Sequence, residues 1–169
     1  MTSAWLDSPL MGTRVMLRLV QPGDETALVG LMTDPEVRRY IGGPREPEEA
    51  RASIHLDDIW WGSFVVAQVS DDEVVGTLSF ARKRGPWEVS FQLRADLWGQ
   101  GLMSEALMLA LTWFFASQDE SVCIAVTQNA NTRTRRLLER ASGVLTAEFE
   151  QYGLPQIQYE FRPAHPGRA

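Results

Sequence analysis

Leu97-Trp98-Gly99-Gln100-Gly101-Leu102-Met103-Ser104-Glu105-Ala106 is a short glycine turn that runs straight into a long apolar helix. The first N–H groups of a helix have no partner within it, and the helix dipole puts partial positive charge at the same end. Gly99 and Gly101 tolerate positive φ and let an anion come closer to the backbone than a Cβ would allow. Ser104 and Glu105 fall in the first helical turn. The stretch therefore reads as an anion cradle, with a plain tight turn before a helix as the bland alternative. Two other glycine signatures fail on spacing. A dinucleotide fingerprint wants a third glycine where Ser104 stands, and a nucleoside-triphosphate loop wants G-K-[ST].

Working outward, Trp87–Arg94 alternates as a strand, the helix runs from about Leu102 to Ser117, and Val122–Thr127 is the next strand. A helix crossing between neighbouring strands implies a parallel, right-handed βαβ unit. Asn131–Ala141 is an amphipathic helix with Gly143 at its C′ position, and Val144–Glu150 and Ile157–Arg162 form a hairpin around Tyr152-Gly153-Leu154-Pro155. Upstream, Arg14–Val20 reads as a strand. Asp24 caps a helix carrying Ala27, Leu28, Leu31 and Met32. Asp34-Pro35 opens a short second helix ending near Tyr40, and Pro47 to about Ile59 is a third helical segment. Ser63–Val69 and Val74–Arg82 form a hairpin across a polar turn. The expectation is an α/β (α+β) fold in one domain over residues 1–169: a mixed central sheet of about 6–7 strands, helices on both faces, and a tail frayed beyond about residue 163.

A chain of 169 residues, 44% hydrophobic and 22% charged, can bury an ordinary core. The net charge of −6 argues weakly against nucleic acid as the main partner and suits a cationic small molecule or peptide, although solubility alone is the more ordinary account of it. Cys123 is the single cysteine and sits in an apolar strand-like run, which reads as a buried hydrophobe. His55 and His165 are the only histidines, so neither a histidine metal site nor a Ser-His-Asp triad is expected. Ala106–Phe115 is too short to span a bilayer, and no signal segment is visible, so the expected compartment is the cytoplasm, away from membranes.

With L-W-G-Q-G-L-M-S-E-A followed some twenty-five residues later by N-T-R-T-R-R-L-L-E-R, the chain resembles the GNAT N-acetyltransferase superfamily, in its RimJ/RimL-like branch, from about Arg14 to Arg162. The resemblance implies the GNAT fold, with a splayed parallel strand pair, and acetyl-CoA as cosubstrate with no metal. It assigns the pyrophosphate to the turn, through Trp98, Gly99 and the backbone amides of Gln100, Gly101, Leu102, Met103 and Ser104. Asn131 and Thr134 would meet the pantetheine and thioester. The strand before the turn would free the backbone amides of Gln92, Leu93 and Arg94, with Leu93 foremost as oxyanion donor. Glu88 matches the family's acidic position as general base, against the plainer reading of a surface glutamate. Thr134 would serve the leaving sulfur, since no tyrosine lies in the Asn131 helix; a cap companion to Asn131 is its plainer reading. Arg133, Arg135, Arg136 and Arg140 form a basic face toward the adenosine 3′-phosphate, Arg136 foremost, or are ordinary solvated charges.

Three positions depart from or sit beside the pattern. Trp98 stands at the first position of Q/R-x-x-G-x-G/A, Met103 replaces a small residue at the last, and Arg133 stands where an alanine is usual. Met103 is compatible with binding if its side chain enters the core and only its N–H faces the loop. Trp60 and Trp61 either wall the acceptor pocket or join the core. The implied activity is acetyl transfer by direct attack of a primary amine, from a peptide N-terminus or a cationic small molecule, in a monomer or homodimer. A non-catalytic acyl-CoA-binding or sensor module, and an α/β interaction domain, remain the alternatives.

Overall fold

The computed structural model describes residues 5–164. In chain order the elements are β1 (Leu10–Met11), β2 (Val15–Arg18), α1 (Glu25–Thr33), α2 (Pro47–Ala52), β3 (Ser63–Gln68), β4 (Val74–Ala81), β5 (Trp87–Leu93), a 3₁₀ turn (Ala95–Leu97), α3 (Leu102–Ser117), β6 (Cys123–Gln128), α4 (Thr132–Arg140), β7 (Val144–Gln151) and β8 (Leu154–Phe161). The expected frayed tail beyond 163 falls largely outside the described residues.

The strands form one eight-stranded sheet in the order β1-β2-β3-β4-β5-β6-β8-β7. The strand beyond the expected seven is β1, whose two residues pair with Leu17 and Met16 and are too few to carry a period-2 signal. Strand β5 pairs antiparallel with β4 along its length. Its other edge meets β6 in parallel at Trp87↔Cys123 and Glu88↔Ile124 alone, and beyond Glu88 the two strands diverge. Helix α3 is the crossover between them, as the βαβ pattern predicts.

Alternation sorts the helices onto the two faces. Phe64 and Val66 of β3 enter the main core with α3 residues (Met103, Leu107, Phe114) and Leu138 of α4. Val65 points the other way and packs with Leu28 of α1 and Val74. At one end of the main core Trp61 stacks on Trp113 at 4.9 Å and meets Trp87 edge-on at 5.1 Å, while Trp5 packs against Phe64 at 5.0 Å. Trp61 is thereby a half-buried residue packed against the core, and its neighbour Trp60 is exposed.

Several local expectations give way to tertiary demands. The Asp34-Pro35 segment runs as overlapping turns as far as Gly42 rather than as a helix, with Asp34 Oδ1 accepting from the N–H groups of Glu36 and Val37. Helix α2 stops at Ala52, well short of Ile59. The C′ position of α4 belongs to Ser142, at φ 67°, rather than Gly143. Gly143 donates to Leu138 C=O at 2.9 Å as C″ of a Schellman motif, and a Cβ there would meet that oxygen at 2.8 Å and the Phe161 ring at 3.0 Å. Tyr152 and Gly153, both at positive φ, close β7 onto β8 in two residues, so β8 starts at Leu154 rather than Ile157.

Asp24 does not cap α1 with its side chain. Its carboxylate instead takes two bonds from the Arg18 guanidinium, at 2.8 and 3.0 Å, and one from the Gln21 N–H at 2.9 Å, while Arg18 Nε donates to Asp72 at 2.7 Å. Arg18 and Asp24 are both buried, and the carboxylate partners raise the affinity of Arg18 for its proton. This pair ties β2, the start of α1 and the β3–β4 turn together. Arg18→Leu strands a buried carboxylate and should destabilise the fold by about 3–5 kcal/mol in denaturant unfolding; a loss below about 1 kcal/mol would contradict this reading.

Candidate active site

The turn adopts the conformation its glycines allow. Gly99 and Gly101 have φ of 78° and 79°, and Gly101 is the left-handed N-cap of α3. The Glu105 N–H donates to the Gly101 carbonyl at 3.1 Å, so the N–H groups of Leu102, Met103 and Ser104 precede the first intrahelical bond. Met103 is 4% exposed and packs in the main core, while the residue also borders the cleft. Glu105 turns away from the cradle. Its carboxylate accepts from the N–H groups of Thr13 and Arg14 at 2.6 and 2.8 Å and from Arg14 Nε at 3.2 Å. Arg14 Nη1 in turn donates to the Gln100 carbonyl at 2.6 Å, so the turn is braced against the start of β2.

The divergence of β5 and β6 opens a cleft of about 240 Å³ below this turn, walled by Gly99, Gly101, Leu102, Met103 and Ser104 at one end. Arg94 N–H donates to Val75 C=O at 2.8 Å, toward β4. Strand alternation therefore turns the backbone of Leu93 and Phe91 toward the opening, and the Leu93 carbonyl, taken by Trp98 Nε1 at 2.9 Å, agrees. Among the three predicted backbone donors, Arg94 is thus spent on the sheet, and its side chain is held by Asp96 and Glu73. Gln92 also faces its backbone to β4, but its side chain lines the cleft, with Oε1 buried and unpartnered among the described residues. Phe91 is the donor that sequence reasoning missed, although parity from Leu93 would have found it.

Helix α4 supplies the facing wall. Asn131 caps it, with Oδ1 accepting from Thr134 N–H at 3.3 Å and Nδ2 donating to Thr127 Oγ1 at 3.2 Å. Asn131, Arg133, Thr134, Leu137 and Arg140 line the cleft. Arg136 is exposed and outside the lining, and Arg135 donates to Asn129 Oδ1 at 2.7 Å. Gln100 is likewise outside the lining.

A third wall comes from Glu36, Val37, Arg39, Tyr40 and Ile41, in the segment read from sequence as a second helix. Buried Arg38 shapes it by donating to the carbonyls of Gly43 and Ile41, each at 2.6 Å, and Gln128 Nε2 ties Tyr40 C=O to the end of β6 at 3.0 Å. The paired signals Asp34-Pro35 and Gly42-Gly43 bracket this wall in the sequence, but nothing local reveals which part of the sheet it covers. The aromatic pair Trp60-Trp61 is not part of the lining.

Glu88 sits at the closed end of the divergence, where β5 and β6 still pair, and outside the cleft lining. Burial pushes its carboxyl above the ordinary glutamate range, against the opposing charge of Lys83. Cys123 is fully buried and its thiol is pushed up to about 12 by burial, which makes it inert as a nucleophile. Among the described residues no group of three or more His, Cys, Asp or Glu could hold a metal, and no helix is long and apolar enough to cross a membrane.

The acetyltransferase (GNAT) domain family model matches residues 14–144, which takes in the cradle, the divergent strands and α4. The chain belongs to the GNAT acetyltransferase family. Among curated relatives, an uncharacterised N-acetyltransferase p20 of Bacillus licheniformis is 27% identical over 139 residues, covering 76% of this chain and 78% of that protein. A GNAT-family acetyltransferase structure from Bacillus anthracis superposes with a TM-score of 0.82 at 20% identity, covering 92% of this chain and 98% of that one. The ribosomal L7/L12 α-N-protein acetyltransferase RimL, solved with coenzyme A, superposes with a TM-score of 0.75 at 18% identity, covering 92% and 98%. These structural likenesses are likenesses of fold. The GNAT family uses acetyl-CoA, and acetyl transfer is its general reaction.

The brace under the cradle has a pH signature. Partial burial of Glu105 opposes its ionisation, but the N–H groups of Arg14, Val15 and Thr13 and the Arg14 guanidinium outweigh it and hold the carboxyl below the ordinary range. A depressed carboxyl contributes stability that is complete above its unfolded pKa and is lost as pH falls through the folded one. Thermal melting should therefore drop as pH falls below about 4, and Glu105→Gln should melt lower at neutral pH and show less of that acid-side drop. A variant with an undiminished acid slope would remove Glu105 from this role.

Proposed function

We propose that this GNAT protein is an acetyl-CoA-dependent N-acetyltransferase, which moves an acetyl group from the thioester to a primary amine by direct attack in a ternary complex. The observation that carries the reading is the coincidence, in one cleft, of the unpaired amides at the start of α3 and the freed inner edge of β5. The first fits a pyrophosphate, and the second fits the amide-bearing arm and thioester that follow it. Bound there, acetyl-CoA supplies an activated acetyl group.

The residues have distinct tasks in this reading. Gly99, Gly101, Leu102, Met103 and Ser104 hold the pyrophosphate through backbone N–H groups. Leu93 N–H, on the freed edge, stabilises the developing oxyanion, a task typically worth about 3 kcal/mol for a positioned donor. As the amine nitrogen bonds to the acetyl carbon and the C–S bond breaks, Glu88, at the closed end of the divergence and outside the lining, takes the amine proton through water, and the Thr134 hydroxyl supports the departing sulfur. The raised carboxyl of Glu88 brings its proton affinity closer to neutrality, as a base requires. The acceptor enters along Glu36–Ile41, and a peptide N-terminal amine or a cationic small molecule satisfies the chemistry; the structurally similar RimL is a ribosomal L7/L12 α-N-protein acetyltransferase.

Two measurements test this. Acetyl-CoA at about 100 times its Kd should add about 2.7 kcal/mol of stability, a melting shift of roughly 5–10 °C for a chain of this size; no shift would sink the acetyl-CoA reading. On an amine found active in a broad acceptor panel, Glu88→Gln should lower kcat by about 10²–10⁴-fold and leave acetyl-CoA affinity unchanged. Equal loss of both would remove Glu88 as the base.

A further inference from the structure

The Arg133 guanidinium carbon lies 3.7 Å from the centroid of the Trp98 ring. Trp98 is itself fixed, because its Nε1 donates to Leu93 C=O at 2.9 Å. A bracket thus runs from β5 through Trp98 to α4, and both Trp98 and Arg133 line the cleft beside the glycine turn. A guanidinium lying over an aromatic face spends its π surface on the ring and leaves its in-plane N–H donors free. No carboxylate within the described residues pairs with them. Of the other nearby cations, Arg14 is committed to Glu105, Arg94 to Asp96 and Glu73, and Arg135 to Asn129, whereas Arg39 and Arg140 line the cleft away from the Trp98 ring. Arg133 is therefore a held, uncompensated donor set next to unpaired backbone N–H groups, in a chain whose net charge is −6.

We infer that Arg133, held on Trp98, is a clamp for a phosphoryl group of the bound cosubstrate, closing over the cradle from the α4 side. The inference rests on the acetyl-CoA reading. Stacking removes much of the side-chain freedom that a solvated arginine would lose on binding, so the paired arrangement binds better than charge alone. Arg133→Ala deletes the clamp, Arg133→Lys keeps charge without the planar fork, and Trp98→Leu keeps the guanidinium without its support.

Calorimetric titration with coenzyme A, dephospho-coenzyme A and pantetheine separates the possibilities, with melting curves verifying that each variant is folded. Arg133→Ala should lose about 10- to 100-fold in coenzyme A affinity, with a weaker dependence on salt, and should bind pantetheine as the wild type does. Arg133→Lys and Trp98→Leu should fall between. A penalty that persists with dephospho-coenzyme A assigns the clamp to the pyrophosphate, and one that vanishes assigns it to the 3′-phosphate; either supports it. Unchanged coenzyme A affinity in Arg133→Ala, or an equal loss toward pantetheine, overturns the clamp alone. Wild-type protein that binds no coenzyme A overturns the proposed function as well.

Discussion

Parallel strands β5 and β6 stay paired for only two residue partners, and that early divergence governs the rest of the site. Backbone N–H and C=O groups inside a sheet are ordinarily satisfied by the next strand, because leaving them unpaired in a buried place is costly. Here β5 keeps its full ladder to β4 and loses it toward β6, so its inner edge can be satisfied only from the cleft. Part of the deficit is met internally, since Trp98 crosses over to cap the Leu93 carbonyl. The Leu93 N–H beside it is left for whatever enters.

The surrounding elements read as devices that hold this opening in shape. Helix α3 is anchored by a face of core residues that includes Met103, so the start of the helix is rigid where its amides are unpaired. Below it, Glu105 gathers three N–H groups of the segment leading into β2, and Arg14 holds the Gln100 carbonyl. On the far side, the carboxamide of Asn131 spans Thr134 and Thr127, which fixes α4 on the end of β6. The Arg38 guanidinium folds the Glu36–Ile41 wall onto itself through carbonyls alone. Each device is local to one margin of the cleft.

Much of this was legible in the sequence because it rests on short-range rules. The glycine turn, the α3 crossover and the Asn131 cap are set by left-handed φ, apolar continuity and N-cap chemistry, and α3 begins and ends where its pattern says. What was not legible depended on contacts distant in the chain. Asp24 has the sequence look of a cap, yet an arginine on β2 outcompetes the helix for its carboxylate. Asp34-Pro35 has the look of a helix start, yet the segment turns back to wall the cleft. Arg94 and Arg136 followed from position in a motif, whereas strand parity and helix phase decide which neighbours face inward: Leu93 and Phe91 on β5, Arg133 and Arg140 on α4. Trp61 joins an aromatic core whose other members come from β5, α3 and the N-terminal Trp5, which no local pattern announces.

In the proposed function, the freed edge of β5 and the start of α3 together receive one coenzyme A molecule. The most direct measurement is an amide-resolved NMR titration of the 19.0 kDa chain with coenzyme A. The largest shifts and the greatest gain in hydrogen-exchange protection should fall together on Phe91, Leu93 and Gly101 to Ser104, with the β2–β3 ladder unchanged. Saturable binding that leaves those amides unmoved and perturbs another surface would contradict it.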